Sequence, residues 1–166
     1  MQPDDRRNAV ADADVVEVEM QLAGSPAEVY RYWTSPDWYR RWMGALVRLN
    51  PTSGGEYFVQ MNDGFAAVGT FTEVDPPRRL EFSWGWAPGA GQAVLAGPRP
   101  DELLPPGASR VRVILEEREG GTALRLEHHD LPGQALRDAH LTAWQAYLAR
   151  LAIVVAGGDP GPDPHA

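Results

Sequence analysis

The sequence predicts a single α+β domain in which a curved antiparallel sheet of six to seven strands wraps around one long C-terminal helix. Three observations support this class. Apolar and polar side chains alternate with a period of two in several segments between 56 and 129, a helical period replaces that alternation from 134 to 155, and two Ser-Pro pairs open short helices after the first strand. Successive strands without intervening helices pair as an antiparallel sheet, and the helices collect on one side of it.

Length and composition are those of one globular domain. The chain has 166 residues, of which 43% are hydrophobic and 23% are charged, so it can bury a core without a metal ion or a disulfide. It has no cysteine, which excludes disulfides, zinc sites built on thiolates and cysteine nucleophiles. The formal net charge of −8 argues against nucleic acid and an anionic membrane surface as partners. No motif indicates a metal or another cofactor.

The two ends of the chain lack apolar periodicity. Residues 1–13 are polar and repeat Asp, and residues 158–166 are rich in Pro, so we predict disordered tails on either side of a folded domain at 14–157. A secretory signal needs a basic start followed by an apolar run, and the first residues do not have this pattern. We therefore expect a cytoplasmic protein.

The first strand and two short helices are predicted from local pattern. Four apolar residues alternate with polar ones over 16–22, as in a half-buried strand. Ser25 followed by Pro26 is typical of a helix N-cap and the first helical residue. A second Ser-Pro pair at 35–36 predicts another short helix, with Trp42 on its apolar side.

Most of the sheet is predicted from the middle of the chain. Alternating segments at 56–61, 66–74, 80–86, 110–116 and 124–129 are separated by turn signals, among them Asn-Asp-Gly at 62–64 and Asp-Pro-Pro at 75–77. Residues 87–109 are dense in Gly and Pro yet contain several apolar residues, so we predict a long loop that folds back on the body.

The long C-terminal helix is predicted over 134–155. Its apolar stripe includes His140, Trp144 and Leu151, and the glycines at 157–158 indicate its end. A helix of roughly 22 residues spans about 33 Å at about 1.5 Å per residue, enough to cross a strongly twisted sheet. Such a sheet and helix enclose a cavity if the inner side chains do not fill it.

Several motifs occur in the order found in a known family. They are Pro26-Ala27-Glu28-Val29, Trp33-Thr34-Ser35-Pro36, Trp42-Met43-Gly44, Gly54-Gly55, the run from Glu73 to Trp84, the run from Gly120 to His128, and His140-Leu141-Thr142-Ala143-Trp144. With these motifs, residues 15–156 resemble the bacterial homologues of the heat-shock-chaperone ATPase activator (AHSA-type proteins). These belong to the START-like, or SRPBCC (polyketide cyclase/dehydrase), superfamily.

The resemblance implies the helix-grip (START/Bet v-like) fold, with an apolar pocket between the sheet and the long helix. Two departures stand out. Ala143 occupies a position where family members usually have Gly, and the loop at 87–109 is longer than the family pattern. This loop is interpreted either as a lid over the pocket mouth or as a decorative insertion.

Large side chains at inward-facing positions are the candidate ligand-binding residues. Aromatic walls give a ligand a large contact area at little conformational cost. Each residue alone is better explained as ordinary core, but six tryptophans are more than a domain of this size usually needs. The set predicted to line the pocket is Trp33, Trp42, Tyr57, Met61, Phe82, Trp84, His128, His140 and Trp144.

His128 and His140 are also the candidates for a catalytic role. His128 continues an alternating strand and should point inward, and His140 lies one turn before Trp144 on the helix. Two inward imidazoles could orient a carbonyl or phenol, or act as acid and base near neutral pH. A histidine hydrogen-bonded within the core is the more frequent situation. No third ligand stands at a spacing typical of a metal site.

Three functions follow from these observations and the resemblance. The leading hypothesis is binding of a small apolar or aromatic molecule in the pocket, without catalysis. The first alternative is an enzyme of the polyketide cyclase or dehydratase kind that uses a pocket histidine. The second alternative is a stress-response or co-chaperone-like interaction module. Pairing of edge strands into a homodimer is compatible with all three.

Overall fold

The computed structural model describes residues 14–61, 64–88 and 104–163, and within those ranges it has one antiparallel sheet and three helices. The strands are β1 (Val16–Leu22), β2 (Leu46–Leu49), β3 (Glu56–Gln60), β4 (Phe65–Asp75), β5 (Arg79–Pro88), β6 (Ser109–Arg118) and β7 (Gly121–His129). The helices are α1 (Pro26–Thr34), α2 (Pro36–Tyr39) and α3 (Gln134–Val155). The predicted fold class is confirmed, with seven strands.

Strands β2 to β7 form a meander in which each strand pairs with the next, and β1 pairs with β7. The order across the sheet is therefore β1-β7-β6-β5-β4-β3-β2, with β1 and β2 at the edges. The register places Val16 and Val111 directly opposite His128 on either side. Because residues opposite one another point to the same face of a sheet, all three side chains are buried in one row.

Helix α3 lies along the inner face of the sheet. Its buried stripe consists of His140, Trp144, Tyr147, Leu148, Leu151, Val154 and Val155. The predicted glycine stop is confirmed, because Gly157 has a φ of 90° and the amide of Gly158 donates to the carbonyl oxygen of Ile153 at 2.8 Å. The helix thus covers the face toward which the strands point their apolar residues.

The two short helices differ in how closely they follow the sequence pattern. Ser25 caps α1, since its Oγ accepts a hydrogen bond from the amide of Glu28 at 3.2 Å. Ser35 makes no such bond, and α2 ends at Tyr39, before Trp42. The chain turns there because Trp42 points into the core and donates its indole N–H to the carbonyl oxygen of Tyr32 at 3.0 Å.

Strand β2 was missed by pattern analysis. Its four residues, Leu-Val-Arg-Leu, show no clean alternation, and only Val47 is fully buried. The strand exists because it pairs with β3, where Val47 lies opposite Val59. An edge strand this short depends on its neighbour rather than on its own composition.

Near the end of the loop predicted at 87–109, the chain crosses closely over β5. The amide of Trp86 donates to the carbonyl oxygen of Leu104 at 2.7 Å. A Cβ atom added to Gly85 would lie only 1.9 Å from the carbonyl oxygen of Pro105, so glycine is required for this crossing. Residues 89–103 lie outside the described residues, as do 62–63 in the predicted turn, and the lid interpretation therefore stays a prediction.

Residues 158–163 fold back against α3, where the sequence analysis predicted a disordered tail. The guanidinium of Arg150 donates through Nη1 to the carbonyl oxygens of Pro160, Gly161 and Pro162, at 3.2, 3.1 and 2.8 Å. These contacts join residues 10 to 12 positions apart. Composition alone does not reveal them. The other predicted tail residues, 1–13 and 164–166, lie outside the described part of the chain.

Candidate functional site

The residues predicted to line a pocket lie between the sheet and α3, and none of the nine is more than 7% exposed. The ring of Trp144 lies next to those of Trp33 and Trp84, with centroids 6.2 and 5.2 Å apart. Tyr57 and Phe82 stack at 3.9 Å on the sheet side of this group. Helices α1 and α3 on one side and strands β3 and β5 on the other thus bring these rings together.

The remaining four predicted residues extend this aromatic cluster in different directions. Trp42 packs on Trp33 with ring centroids 4.7 Å apart. His128 and His140 pack against Trp84, and their own rings are 5.1 Å apart. Met61 lies further out, where its Sδ is 3.9 Å from the hydroxyl of Tyr147. The cluster therefore runs from Trp42 at one end to the two histidines at the other.

Both ring nitrogens of His128 have hydrogen-bond partners. The indole N–H of Trp144 donates to Nδ1 at 3.0 Å, and Oγ of Ser109 lies 2.9 Å from Nε2. Ser109 donates its own proton to the carbonyl oxygen of Trp84 at 2.8 Å, so the proton between Ser109 and His128 belongs to Nε2. His128 is therefore neutral and is protonated at Nε2. In this tautomer it cannot take a proton from Ser109.

His140 is the complementary tautomer. Its Nδ1 donates to the carbonyl oxygen of Leu136 at 2.8 Å, because a carbonyl can only accept. Its Nε2 accepts the indole N–H of Trp86 at 3.3 Å. Each histidine thus uses its one lone pair to accept an indole proton. Neither ring has a free nitrogen with which to begin proton transfer.

The surroundings of both histidines favour the neutral form. Burial lowers the pKa of His128 well below its ordinary value of 6.5, and the nearby His140 and His129 lower it further. Burial also lowers the pKa of His140, although its bond to the carbonyl of Leu136 opposes the shift. Protonation would in addition place two donors face to face at each indole.

Two donors in the aromatic cluster lack a partner. The indole N–H groups of Trp33 and Trp84 are fully buried and make no hydrogen bond within the described part of the chain. A buried donor without an acceptor costs about 1–3 kcal/mol, and most such groups in folded proteins are paired with protein or water. These two N–H groups, both on rings beside Trp144, mark where an acceptor is missing.

Several contributors to the cluster were not found from the sequence. Ser109 and Trp86 provide partners for the histidines, and the hydroxyl of Tyr39 lies 2.5 Å from that of Tyr57. Burial raises the pKa of both phenols, so both stay protonated in the physiological range. Strand alternation did indicate that Trp86 shares a face with Trp84. Nothing in the sequence indicated the pairing of the two tyrosines.

A surface groove of about 740 Å³ lies away from the aromatic cluster. None of the nine predicted residues lines it. Its lining residues are Pro26, Pro76, Pro77, Arg78, Leu115, Glu116, Glu117 and Arg118. The groove is lined by side chains of both charges and by three prolines, of which Pro76 is exposed, so it is a different feature from the predicted apolar site.

Across residues 14–61, 64–88 and 104–163, no group of three or more His, Asp or Glu side chains is arranged to hold a metal ion. Within the same residues, no helix combines the length and the apolar character needed to span a membrane.

The meander of strands, the first strand added beside the last, and the long helix over the aromatic face define a START-like domain. Residues 23–156 match the family model described as Activator of Hsp90 ATPase homolog 1-like protein. An AHSA1-like protein from Rhizobium etli, solved by NMR, is 40% identical and superposes with a TM-score of 0.66 over 92% of this chain and 88% of its own. The chain belongs to this family.

Two more distant structures show the same fold. DynU16, a protein of the dynemicin biosynthetic locus, is 22% identical with a TM-score of 0.68 and aligns over 89% of this chain and 49% of its own. The Aha1 protein from Colwellia psychrerythraea, solved as a dimer in solution, is 19% identical with a TM-score of 0.67 over 85% of this chain and 95% of its own. A search of curated protein sequences gave no match.

Proposed function

We propose that this protein binds a small apolar or aromatic molecule in the aromatic cluster between the sheet and α3. The observation that supports it is the pair of unpaired indole N–H groups on Trp33 and Trp84. A bound molecule that presents an oxygen to one or both donors would remove the cost of leaving them unsatisfied. A hydrocarbon without an acceptor would leave that cost in place.

The position of Trp144 supports the same place for the ligand. Its ring packs against those of Trp33 and Trp84, with centroids 6.2 and 5.2 Å apart. These two neighbours are the rings that carry the unpaired donors. The neighbouring histidines are neutral, so no charge inside the cluster calls for a charged partner at that depth. We therefore propose a neutral ligand body with at least one carbonyl, ether or phenol oxygen.

A matched pair of probes tests this proposal. 2-Acetylnaphthalene and 2-ethylnaphthalene have similar shape, but only the ketone has an acceptor. We expect the ketone to raise the melting temperature in proportion to its saturation of the protein, and the hydrocarbon to do so much less. Trp84→Phe, which keeps a ring but removes the N–H, should reduce the preference for the ketone. Equal and negligible shifts with both probes would contradict the proposal.

An enzyme of the cyclase or dehydratase kind is the second candidate, and the observation that favours it is the similarity to a protein of the dynemicin locus. In this proposal His140 is the proton carrier, and its Nε2 first gives up the indole N–H of Trp86, which it accepts at the long distance of 3.3 Å. Measuring turnover of polyketide mimics by His128→Gln and His140→Gln would test it. Unchanged turnover in both variants would remove the histidines as proton carriers.

The interaction-module alternative and the homodimer stay proposals as well. The dimer of the Colwellia protein makes a homodimer reasonable, and the edge strand β2 exposes Leu46 at 41%. Edge strands offer unpaired backbone groups to a second copy. Light scattering of the purified chain, compared with Leu46→Lys, would show whether this edge supports a dimer. A partner screen would follow only if no small molecule binds.

A further inference from the structure

The segment 158–163 ends at Asp163, whose carboxylate accepts hydrogen bonds from two distant parts of the described chain. Oδ1 of Asp163 accepts the hydroxyl proton of Tyr147 at 2.7 Å, and Oδ2 accepts the amide of Gly44 at 3.3 Å. Each oxygen of the carboxylate thus has its own donor, and the two donors come from parts of the chain more than 100 residues apart. We call this pair of donors the carboxylate clasp.

Packing and backbone conformation fix the positions of both donors of the clasp. Tyr147 is only 2% exposed, so its hydroxyl is placed by the packing of α3. Gly44 has a φ of 86°, and a Cβ atom there would lie 2.6 Å from Cγ1 of Val59. For both reasons the position requires glycine. Arg150 binds the three carbonyls immediately before Asp163 and so places a positive charge beside the segment.

The clasp adjoins the end of the aromatic cluster. The hydroxyl of Tyr147 also lies 3.9 Å from Sδ of Met61, and Nε of Arg150 donates to the carbonyl oxygen of Trp42 at 3.0 Å. Met61 and Trp42 are two of the residues predicted to line the site. The clasp therefore neighbours the side chain of Met61, and Arg150 links the segment 158–163 to the backbone of Trp42.

We propose that the clasp is a binding site for the carboxylate of an apolar carboxylic acid, and that Asp163 is its competing occupant from the same chain. This inference rests on the proposed binding function and specifies its ligand class: an aromatic or aliphatic body with a carbonyl or phenol oxygen at depth and a carboxylate at the surface end. Asp163 then occupies the site until such an acid displaces it.

Tethering explains why the tail matters for affinity. An occupant attached to the chain has an effective concentration of the order of millimolar or above, so a free acid binds with its affinity reduced by the fraction of molecules whose clasp is open. Removing the charge of Asp163 should release this competition. We expect about a threefold to tenfold tighter binding of the acid, with no change for a neutral analogue.

The experiment compares 6-acetyl-2-naphthoate, which carries both the ketone and a carboxylate, with 2-acetylnaphthalene on the full chain and on Asp163→Asn. Asp159→Asn is the matched control, because it removes the same charge from the same segment but its Oδ1 accepts only from the amide of Gly161, outside the clasp. Calorimetry should show tighter binding of 6-acetyl-2-naphthoate to Asp163→Asn, and unchanged binding of 2-acetylnaphthalene. The control should bind both probes like the unmodified chain.

Two further readouts separate the clasp from a general effect of charge. Tyr147→Phe in the Asp163→Asn background should weaken the acid and not the ketone. The ¹⁵N–¹H resonance of Gly44 should move in Asp163→Asn and return toward its original position when 6-acetyl-2-naphthoate is added. If the ketone binds but the acid gains nothing in Asp163→Asn, the clasp inference is wrong while the proposed function stands. If neither probe binds to any variant, both are wrong.

Discussion

Trp144 on the long helix donates its indole N–H to Nδ1 of His128 on the last strand, at 3.0 Å. This bond joins the helix to the middle of the sheet row that also contains Val16 and Val111. With Ser109 on the other ring nitrogen, it makes His128 a fully paired core residue. The histidine therefore contributes to the specificity of the packing in addition to any effect on a ligand.

Replacing His128 by Leu should destabilise the protein strongly. The change leaves the indole N–H of Trp144 buried without an acceptor and removes the donor to Ser109. Each lost partner costs about 1–3 kcal/mol, so we expect a loss of roughly 3 kcal/mol in the free energy of unfolding, measured by urea denaturation. His129→Gln is the control, since that side chain is half-buried and pairs with Glu127. The control should lose less than about 1 kcal/mol.

Stability should fall as the pH is lowered below about 6.5. Burial lowers the pKa of His128 and His140 below the ordinary value of 6.5. Below that pH the unfolded chain therefore binds more protons than the folded chain, and acid favours unfolding. The stability that depends on these two histidines being neutral is complete above pH 6.5. It is lost as the pH falls from 6.5 toward their lowered pKa values in the folded chain. Glu81, whose pKa is also lowered, acts only below its ordinary value of 4.5. Urea midpoints at pH 7.5, 6.5 and 5.5 therefore isolate the histidines.

The control for this pH series is the double variant His128→Gln with His140→Gln. Its urea midpoint should change much less between pH 7.5 and 5.5 than that of the unmodified chain, whatever its absolute stability. Equal slopes for the two proteins would show that other groups cause the acid sensitivity. The net charge of −8 becomes smaller in magnitude as the pH falls, and its effect on stability changes with it. Repeating the series at high salt screens this effect.

Gly85→Ala should be far more damaging than Gly54→Ala. At Gly85 the added methyl group would lie 1.9 Å from the carbonyl oxygen of Pro105, and backbone cannot yield easily. At Gly54 nothing lies within 4 Å, and the cost is only that of a φ of 84°, about 1–2 kcal/mol. Thermal unfolding of both variants measures the two losses of stability. Equal losses would mean that the chain at Pro105 is not held against β5.

Tyr39 and Tyr57 should show strong coupling in a double-mutant cycle. Their hydroxyls lie 2.5 Å apart in the core, so either single change to Phe leaves the other hydroxyl with a poorer partner or none. The Tyr39 hydroxyl retains only the sulfur of Met43 at 3.8 Å. We expect the double variant to be more stable than the sum of the single losses predicts, by about 1 kcal/mol or more. Additive losses would contradict the bond.

The alternating strands, the first short helix and the long helix, all defined by local pattern, were correctly predicted. Strand alternation placed His128 on the inner face, and the helical period from Gln134 to Val155 matched α3 residue for residue. The Ser25 cap and the glycine stop after α3 also followed from the sequence, because each depends on residues within one or two turns of one another. The family and its fold were recognised from motifs spread along these same elements.

Long-range contacts decided the rest. Strand β2 depends on its pairing with β3, the end of α2 depends on Trp42 reaching Tyr32, and the segment before Asp163 depends on Arg150. The tautomers of the two histidines were likewise undetermined until Ser109 and Trp86 appeared as their partners. The sequence by itself determined the periodic elements and which residues point inward, since side-chain period follows from local geometry. Only the tertiary structure decided which donor meets which acceptor, because those partners are brought together by packing and not by spacing along the chain.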